Sequence, residues 1–175
     1  MHIKEDAWVI SDTHFGHKNI INYADRPFHS VEEMDKVMIE KWNSVVSAKD
    51  QVIFLGDFSL APTSEIVKYE KKLNRSISII LGNHDRSHSS QWWLDCGFQE
   101  VSALPVIYKD FFILSHEPLE WVTERLPLLN IHGHVHEKTA YNLNNHHFNV
   151  SVEALDYTPM RLSEIINMGR DLSAI

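Results

Sequence analysis

Five short apolar runs in this chain break off into Asp, Asn or His, and that shared ending constrains the fold more than any other feature. They are Trp8 to Asp12 (WVISD), Gln51 to Asp57 (QVIFLGD), Ile77 to Asp85 (ISIILGNHD), Phe111 to His116 (FFILSH) and Leu128 to His134 (LLNIHGH). Near-continuous apolar runs of this length suit strands covered on both faces. A polar group at the mouth of such a strand costs desolvation unless it finds a partner. Five such endings call for a common partner.

Between the runs the periodicity is helical. Ser30 and Glu33 have capping-box spacing ahead of Val31, Met34, Val37, Met38, Trp42, Val45 and Val46 on one face. A second helix is expected after Pro62 and Thr63, using Ile66, Val67 and Leu73 and stopping at Asn74-Arg75. A third should run from Ser89 to Cys96 and end at Gly97. Beyond Val101 the strands come closer together, with an Asn-rich hairpin expected over 142–148 and a closing helix from Leu162 to Met168. The alternation of strand and helix argues an α/β domain. No repeat, low-complexity tract or linker interrupts it, so residues 1–175 read as a single domain.

The 175 residues are 43% hydrophobic, enough for a substantial core. A net charge of −8 without a Lys/Arg cluster disfavours long nucleic acid as a partner. The single Cys96 excludes an intrachain disulfide or a cysteine-rich zinc site and reads as a small buried hydrophobe. The first residues, MHIKEDAWVI, lack the apolar stretch of a signal peptide. No run approaches the roughly 18 apolar residues of a membrane span. A cytoplasmic protein with no membrane partner is expected.

In open α/β sheets, ligands collect at the carboxyl ends of the strands. If the strands run parallel in their sheets, Asp12, Asp57, Asn83, His116 and His134 gather at one edge, with His14, His84 and His136 beside them. Carboxylates, an amide oxygen and imidazoles together suit Mn, Fe, Co, Ni or Zn better than Ca or Mg. The set is too large for one shell of about four to six donors. It divides well over two ions if one carboxylate bridges them. The spacings Asp12-x-His14 and His134-x-His136 put each pair on one side of an extended segment, unless a turn redirects one member.

Asp12-Thr-His14, Gly56-Asp57, Gly82-Asn83-His84-Asp85, the lone His116 and Gly133-His134-Val-His136 resemble, in order, the signature of the calcineurin-like metallophosphoesterases. The stretch DTHFGHKNII, Arg26-Pro-Phe28 and the tail NVSVEALDYTP from Asn149 are similar to a small single-domain branch found in bacteria and phages. Phe58-Ser-Leu60 departs from the polar residues that follow Gly-Asp in many members, which speaks against a phosphoprotein phosphatase.

The resemblance implies a four-layer αββα sandwich, two mixed sheets face to face with helices outside. It implies that Asp12, His14, Asp57 and His136 hold one ion and that Asp57, Asn83, His116 and His134 hold the other. Manganese is favoured for both. A hydroxide between the ions would attack phosphorus in line. His84 would be the general acid that protonates the departing oxygen, and Asp85 would accept a hydrogen bond from the His84 ring and fix its tautomer. Two divalent ions outweigh Asp12, Asp57 and that hydroxide by one positive charge, which favours an anionic ester.

His17 either reaches this site or begins a helix. Arg26 and Arg86 each either clamp a phosphate bidentately or serve as a loop arginine before Pro27 and an exposed ion-pair partner. His2, His29, His88, His146 and His147 are expected to face solvent, and His132 to pack beside the metal strand. Trp92, Trp93 and Trp121 read as core residues. The leading reading is a dinuclear metal-dependent phosphoesterase acting on a small phosphoester, with a diester favoured and a monoester, as for a phosphatase, left open. A nuclease on DNA or RNA would need a positive groove, and a non-catalytic protein-binding scaffold would be expected to have lost ligands.

Overall fold

The computed structural model describes residues 1–74, 76–123, 128–136 and 146–172. Three of the apolar runs form adjacent parallel strands, β1 (Trp8–Ile10), β2 (Val52–Phe54) and β3 (Ile77–Ile80), in register Val9 to Ile53 to Ser78. β4 (Glu100–Ser102) continues the sheet in parallel beside β3. In the second sheet β5 (Val106–Tyr108) lies antiparallel to β6 (Phe112–Leu114), while β6, β7 (Leu129–His132) and β8 (His147–Asn149) run parallel. β9 (Met160–Arg161) returns to the first sheet antiparallel to β1, giving the order β4-β3-β2-β1-β9. These are the two mixed sheets with flanking helices that the resemblance implies.

The helices are α1 (Ile20–Tyr23), α2 (Val31–Val45), α3 (Thr63–Lys72), α4 (Ser90–Asp95) and α5 (Leu162–Leu172). Ser30 Oγ accepts the Glu33 N–H at 3.1 Å, while the Glu33 carboxylate reaches past Ser30 to accept the His29 N–H at 2.8 Å. Ser89 caps α4 through the Trp92 N–H. α5 runs four residues past the expected end at Met168, to Leu172.

Successive strand residues serve two cores, which is why the runs lack alternation. Ile10, Val52, Phe54, Ile77 and Ile79 pack with Met34, Met38, Trp42, Ile66 and Trp93 of the helices. Val9, Ile53 and Ile80 instead meet Phe112, Leu114, Leu129, Ile131 and Phe148 of the second sheet, with Leu162 and Ile165 of α5. Each such side chain contributes about 1.5–3 kcal/mol by leaving water. That burial, not the propensity of strands only three or four residues long, holds the sheets together.

The other face of the second sheet carries Asn130, His132, His147 and Asn149, all buried. The His147 ring, expected to face solvent, is covered by the segment after His116 and lies 3.0 Å from the Leu119 carbonyl through Nε2. Leu119 N–H in turn donates to Asn130 Oδ1 at 2.7 Å. Trp93 is core, whereas Trp121 is exposed. Of the expected hairpin over 142–148, residues 142–145 lie outside the described residues, and β8 pairs in parallel with β7. Among the described residues, no helix is long and apolar enough to cross a membrane.

Candidate metal centre

Parallel pairing puts the ends of β1, β2 and β3 at one edge of the first sheet and those of β6 and β7 at one edge of the second. Ser11 joins the two edges: its N–H donates to the Val150 carbonyl at 3.0 Å, and its own carbonyl accepts the Val152 N–H at 3.2 Å. Just past these strand ends the backbone turns sharply. Asp12, His14, Asp57, His134 and His136 all adopt positive φ, between 48° and 74°. Non-glycine residues rarely take this left-handed conformation, and it persists only where the surroundings over-determine it. Neither the Asp12-x-His14 segment nor the His134-x-His136 segment is therefore extended.

The turns aim the donors into two groups that share one carboxylate oxygen. His14 Nε2 lies 3.6 Å from Asp57 Oδ2, 4.0 Å from Asp12 Oδ1 and 3.2 Å from His136 Nε2. On the other side, His116 Nε2 lies 3.5 Å from the same Asp57 Oδ2, 2.9 Å from Asn83 Oδ1 and 3.1 Å from His134 Nδ1. The seven residues thus sort as Asp12, His14 and His136 on one side, Asn83, His116 and His134 on the other, with Asp57 between.

Outer contacts fix these orientations. Asp12 Oδ2 accepts from Ser11 Oγ at 2.5 Å, Ser151 Oγ at 3.0 Å and the His134 N–H at 2.8 Å, leaving Oδ1 for the site. His116 Nδ1 lies 2.8 Å from the Leu55 carbonyl and His136 Nδ1 lies 3.0 Å from Glu153 Oε1. Two glycines make room: a Cβ on Gly82 would come within 2.2 Å of Asp57 Oδ1, and one on Gly133 within 2.3 Å of Asp12 Oδ2. Ser11, Ser151 and Glu153 went unnoticed as site residues in the sequence. Their signal was their place within or beside quoted motifs.

The two carboxylates differ electrically. Burial opposes ionisation of Asp12, but His116, His136 and His14 outweigh it and hold its carboxyl below the usual range. Burial pushes Asp57 up to about 6, with Asp12 and Asp85 adding to the rise and His116 opposing it. Burial also lowers His14 and His134, which favours the neutral imidazole that ligation requires. His136 is the exception: burial would lower it, but Glu153 and Asp12 hold it above the ordinary value.

The sequence profile described as "Calcineurin-like phosphoesterase" matches residues 7–164. The chain belongs to this family. Over 169 residues it is 38% identical to "Uncharacterized protein MJ1445" of Methanocaldococcus jannaschii, a match covering 92% of this chain and 89% of that protein. "Gene 66 protein" of Mycobacterium phage L5 is 27% identical, over 84% of this chain and 85% of its own. Among solved structures, the Aquifex aeolicus protein of unknown function AQ665 superposes with a TM-score of 0.68 at 27% identity, over 93% of this chain and 98% of that one.

Members of the calcineurin-like phosphoesterase family are metal-dependent hydrolases of phosphoesters, and the residues here fit divalent ions. Asp12 Oδ1 is buried without a hydrogen-bond partner, a costly arrangement unless a cation faces it. With its proton on Nδ1 toward Leu55, a neutral His116 presents an Nε2 lone pair to Asn83 Oδ1, another acceptor. Converging acceptors with no donor between them describe a cation site. Asp12, His14 and His136 form one ligand-capable group, and Asp57, His116 and His134 form the other.

The remaining candidates of this calcineurin-like site divide sharply. The His84 side chain is 44% exposed, with Nε2 3.9 Å from Asp57 Oδ2, so it faces both the centre and the solvent. Asp85, expected to brace the His84 ring, instead accepts the backbone N–H groups of Asp57 at 2.6 Å, Gly82 at 2.9 Å and Phe58 at 3.1 Å. It braces the turns, not the imidazole. His17 sits 5.7 Å from the His14 ring, centroid to centroid, and its Nδ1 is buried without a partner. Arg86 pairs with Glu117 at 3.3 Å on the surface, the exposed ion-pair role. Arg26 has a fully buried side chain that donates to Glu153 and to the carbonyls of Asp12 and Thr13. Nothing is left of it to clamp a phosphate from solvent.

Proposed function

We propose that this chain is a dinuclear metal-dependent phosphodiesterase acting on a small phosphodiester, with manganese as the preferred metal. The observation that carries the reading is the single oxygen Asp57 Oδ2 within 3.5–3.6 Å of ligand nitrogens from both groups. Asp12, His14, Asp57 and His136 would hold one ion and Asp57, Asn83, His116 and His134 the other. Bound there, the pair would supply an activated water nucleophile and Lewis-acid neutralisation of the phosphoryl oxygens. His84 Nε2, at the open side, gives its proton to the departing ester oxygen.

The charge inventory favours a diester over a monoester. Arg26 is buried and Arg86 is paired with Glu117, so neither of these two guanidiniums is spare for a second negative charge. A singly charged diester matches the single surplus positive charge of the loaded centre. The overall charge of −8 likewise suits a compact substrate better than a long polyanion. Free, buried Cys96 suits a reducing, cytoplasmic setting.

The direct test loads chelator-treated protein with Mn²⁺ and compares bis(p-nitrophenyl) phosphate, p-nitrophenyl phosphate and cyclic nucleotides as substrates. Turnover of the diesters above the monoester, lost in Asp57→Ala, is expected. Faster monoester turnover would overturn the diester assignment, and activity surviving in Asp57→Ala would overturn the shared-carboxylate reading.

A further inference from the structure

Two stretches quoted from the sequence, Arg26-Pro27-Phe28 and Val150-Ser151-Val152-Glu153, have no part in the chemistry above, yet they meet beneath it. Arg26 Nε donates to Glu153 Oε1 at 2.8 Å, and Arg26 Nη2 lies 2.8 Å from the same oxygen. Both side chains are wholly buried. The same Glu153 oxygen lies 3.0 Å from His136 Nδ1. The other guanidinium donors reach the backbone of the strained turn: Nη2 to the Asp12 carbonyl at 2.7 Å and Nη1 to the Thr13 carbonyl at 2.9 Å.

One ion pair therefore grips three ligands of the same metal position. An ionised carboxylate only accepts, so His136 carries a proton on Nδ1, and in the neutral ring that ligation requires the Nε2 lone pair then faces His14 Nε2 and Asp12 Oδ1. The two carbonyl contacts hold the Asp12–Thr13 and Thr13–His14 peptides, between residues Asp12 and His14 that take φ of 60° and 48°. Neither Arg26 nor Glu153 has a hydrogen bond or ion pair to Asn83, His116 or His134 among the described contacts.

We infer that Arg26 and Glu153 are positioning residues for one of the two ions only, the one between Asp12, His14 and His136. The pair sets the tautomer of His136 and the shape of the Asp12–His14 turn before metal arrives. It leaves the Asn83, His116 and His134 position to form without it. This inference rests on the two-ion reading above.

The test titrates Mn²⁺ calorimetrically into chelator-treated full-length parent, Glu153→Gln and Arg26→Lys. The amide of Glu153→Gln keeps the shape and loses the charge, while the ammonium of Arg26→Lys keeps the charge and loses the planar fork. Parent protein should bind two ions. Each variant should bind one with parent affinity and the other about 10–100-fold more weakly, the usual effect of removing an outer hydrogen-bond partner of a ligand. Anomalous scattering from variant crystals should place the retained ion beside Asn83. In the metal-free proteins, ¹⁵N spectra of the imidazoles should show His136 protonated on Nδ1 in the parent and mixed between nitrogens in Glu153→Gln. Unchanged affinity at both positions, equal weakening of both, or an unaltered His136 tautomer would each overturn the inference. A parent that binds fewer than two ions would defeat the dinuclear reading, and the metal-free spectra would still decide the role of Glu153.

Discussion

Asp85 holds Asp57 by its backbone: the Asp57 N–H donates to Asp85 Oδ2 over 2.6 Å, and the turn after β2 is thereby tied to the turn after β3. The tie is reciprocated one residue away, where the His84 N–H donates to Asp57 Oδ1 at 3.0 Å. Three N–H groups converge on the Asp85 carboxylate, from Asp57, Phe58 and Gly82.

Asp85→Asn turns one acceptor oxygen into a donor that faces an N–H. A buried donor left without a partner costs about 1–3 kcal/mol. Urea denaturation should show a loss of that size. Mn²⁺ calorimetry should show both ions weakened, because the shared ligand Asp57 and the adjacent Asn83 both ride on these turns. Parent-like metal affinity in Asp85→Asn would mean that the turns hold their shape without the carboxylate.

Asp57 gives a pH-dependent prediction for the metal-free protein. Its folded pKa, about 6, lies above the ordinary 3.8, so the folded chain binds more protons than the unfolded one between those values. Stability contributed by this group therefore falls as pH rises through about 4 to 6, and the full cost is present at neutral pH. Asp57→Asn removes the charge and can still accept the His84 N–H. In chelator at pH 7.5 the variant should be more stable than the parent by about 1–3 kcal/mol, and the gap should close as pH falls toward 4. Adding Mn²⁺ should reverse the order, since only the parent has the bridging carboxylate. A parent more stable than Asp57→Asn in chelator at pH 7.5 would contradict the assignment.

The apolar runs ending in Asp, Asn and His were legible because a strand buried on both faces has no polar alternation to hide its end. That signal located β1, β2, β3, β6 and β7, and with the motifs it located the ligand groups. β4 and β5 were obscure because β4 is half-buried throughout and β5 turns an apolar Ile107 to solvent between half-buried Val106 and Tyr108, so neither shows a buried apolar face. The left-handed turns at Asp12, His14, Asp57, His134 and His136 fall on aspartate and histidine, and only Asp57 and His134 have a glycine, Gly56 and Gly133, just before them. Tertiary contacts impose them: Ser151 reaches Asp12 across 139 residues, and Glu153 reaches Arg26 across 127. Asp85 illustrates the limit of adjacency. Its neighbour His84 looked like its natural partner, yet its bonds to Asp57 and Phe58 span 28 and 27 residues.

Long nucleic acid would bind through many phosphate contacts, each releasing counterions. With a net charge of −8 and Arg26 buried, few such contacts are available away from the metals. Binding of single-stranded oligonucleotides to Mn²⁺-loaded His84→Ala should weaken only gently with salt, with a log–log slope shallower than about 2. Affinity should also stay flat beyond a few nucleotides. A steep slope that grows with strand length would favour a nuclease over a small-diester enzyme.

His84 separates proton transfer from metal holding. Its side chain is 44% exposed and its Nε2 stands 3.9 Å from Asp57 Oδ2, while its backbone N–H holds Asp57 Oδ1. His84→Ala removes the imidazole and leaves that backbone bond intact, so both ions should remain. Esters with good leaving groups such as p-nitrophenolate need no proton as the bond breaks and should stay substrates. Alkoxide leaving groups need one, and for them kcat/KM should fall by about 10²–10⁴-fold, the usual contribution of general acid catalysis. Across diesters of graded leaving-group pKa, the variant should therefore show a steeper dependence than the parent. Parallel slopes together with a lost ion would identify the His84 ring as part of the metal shell and remove it from proton transfer.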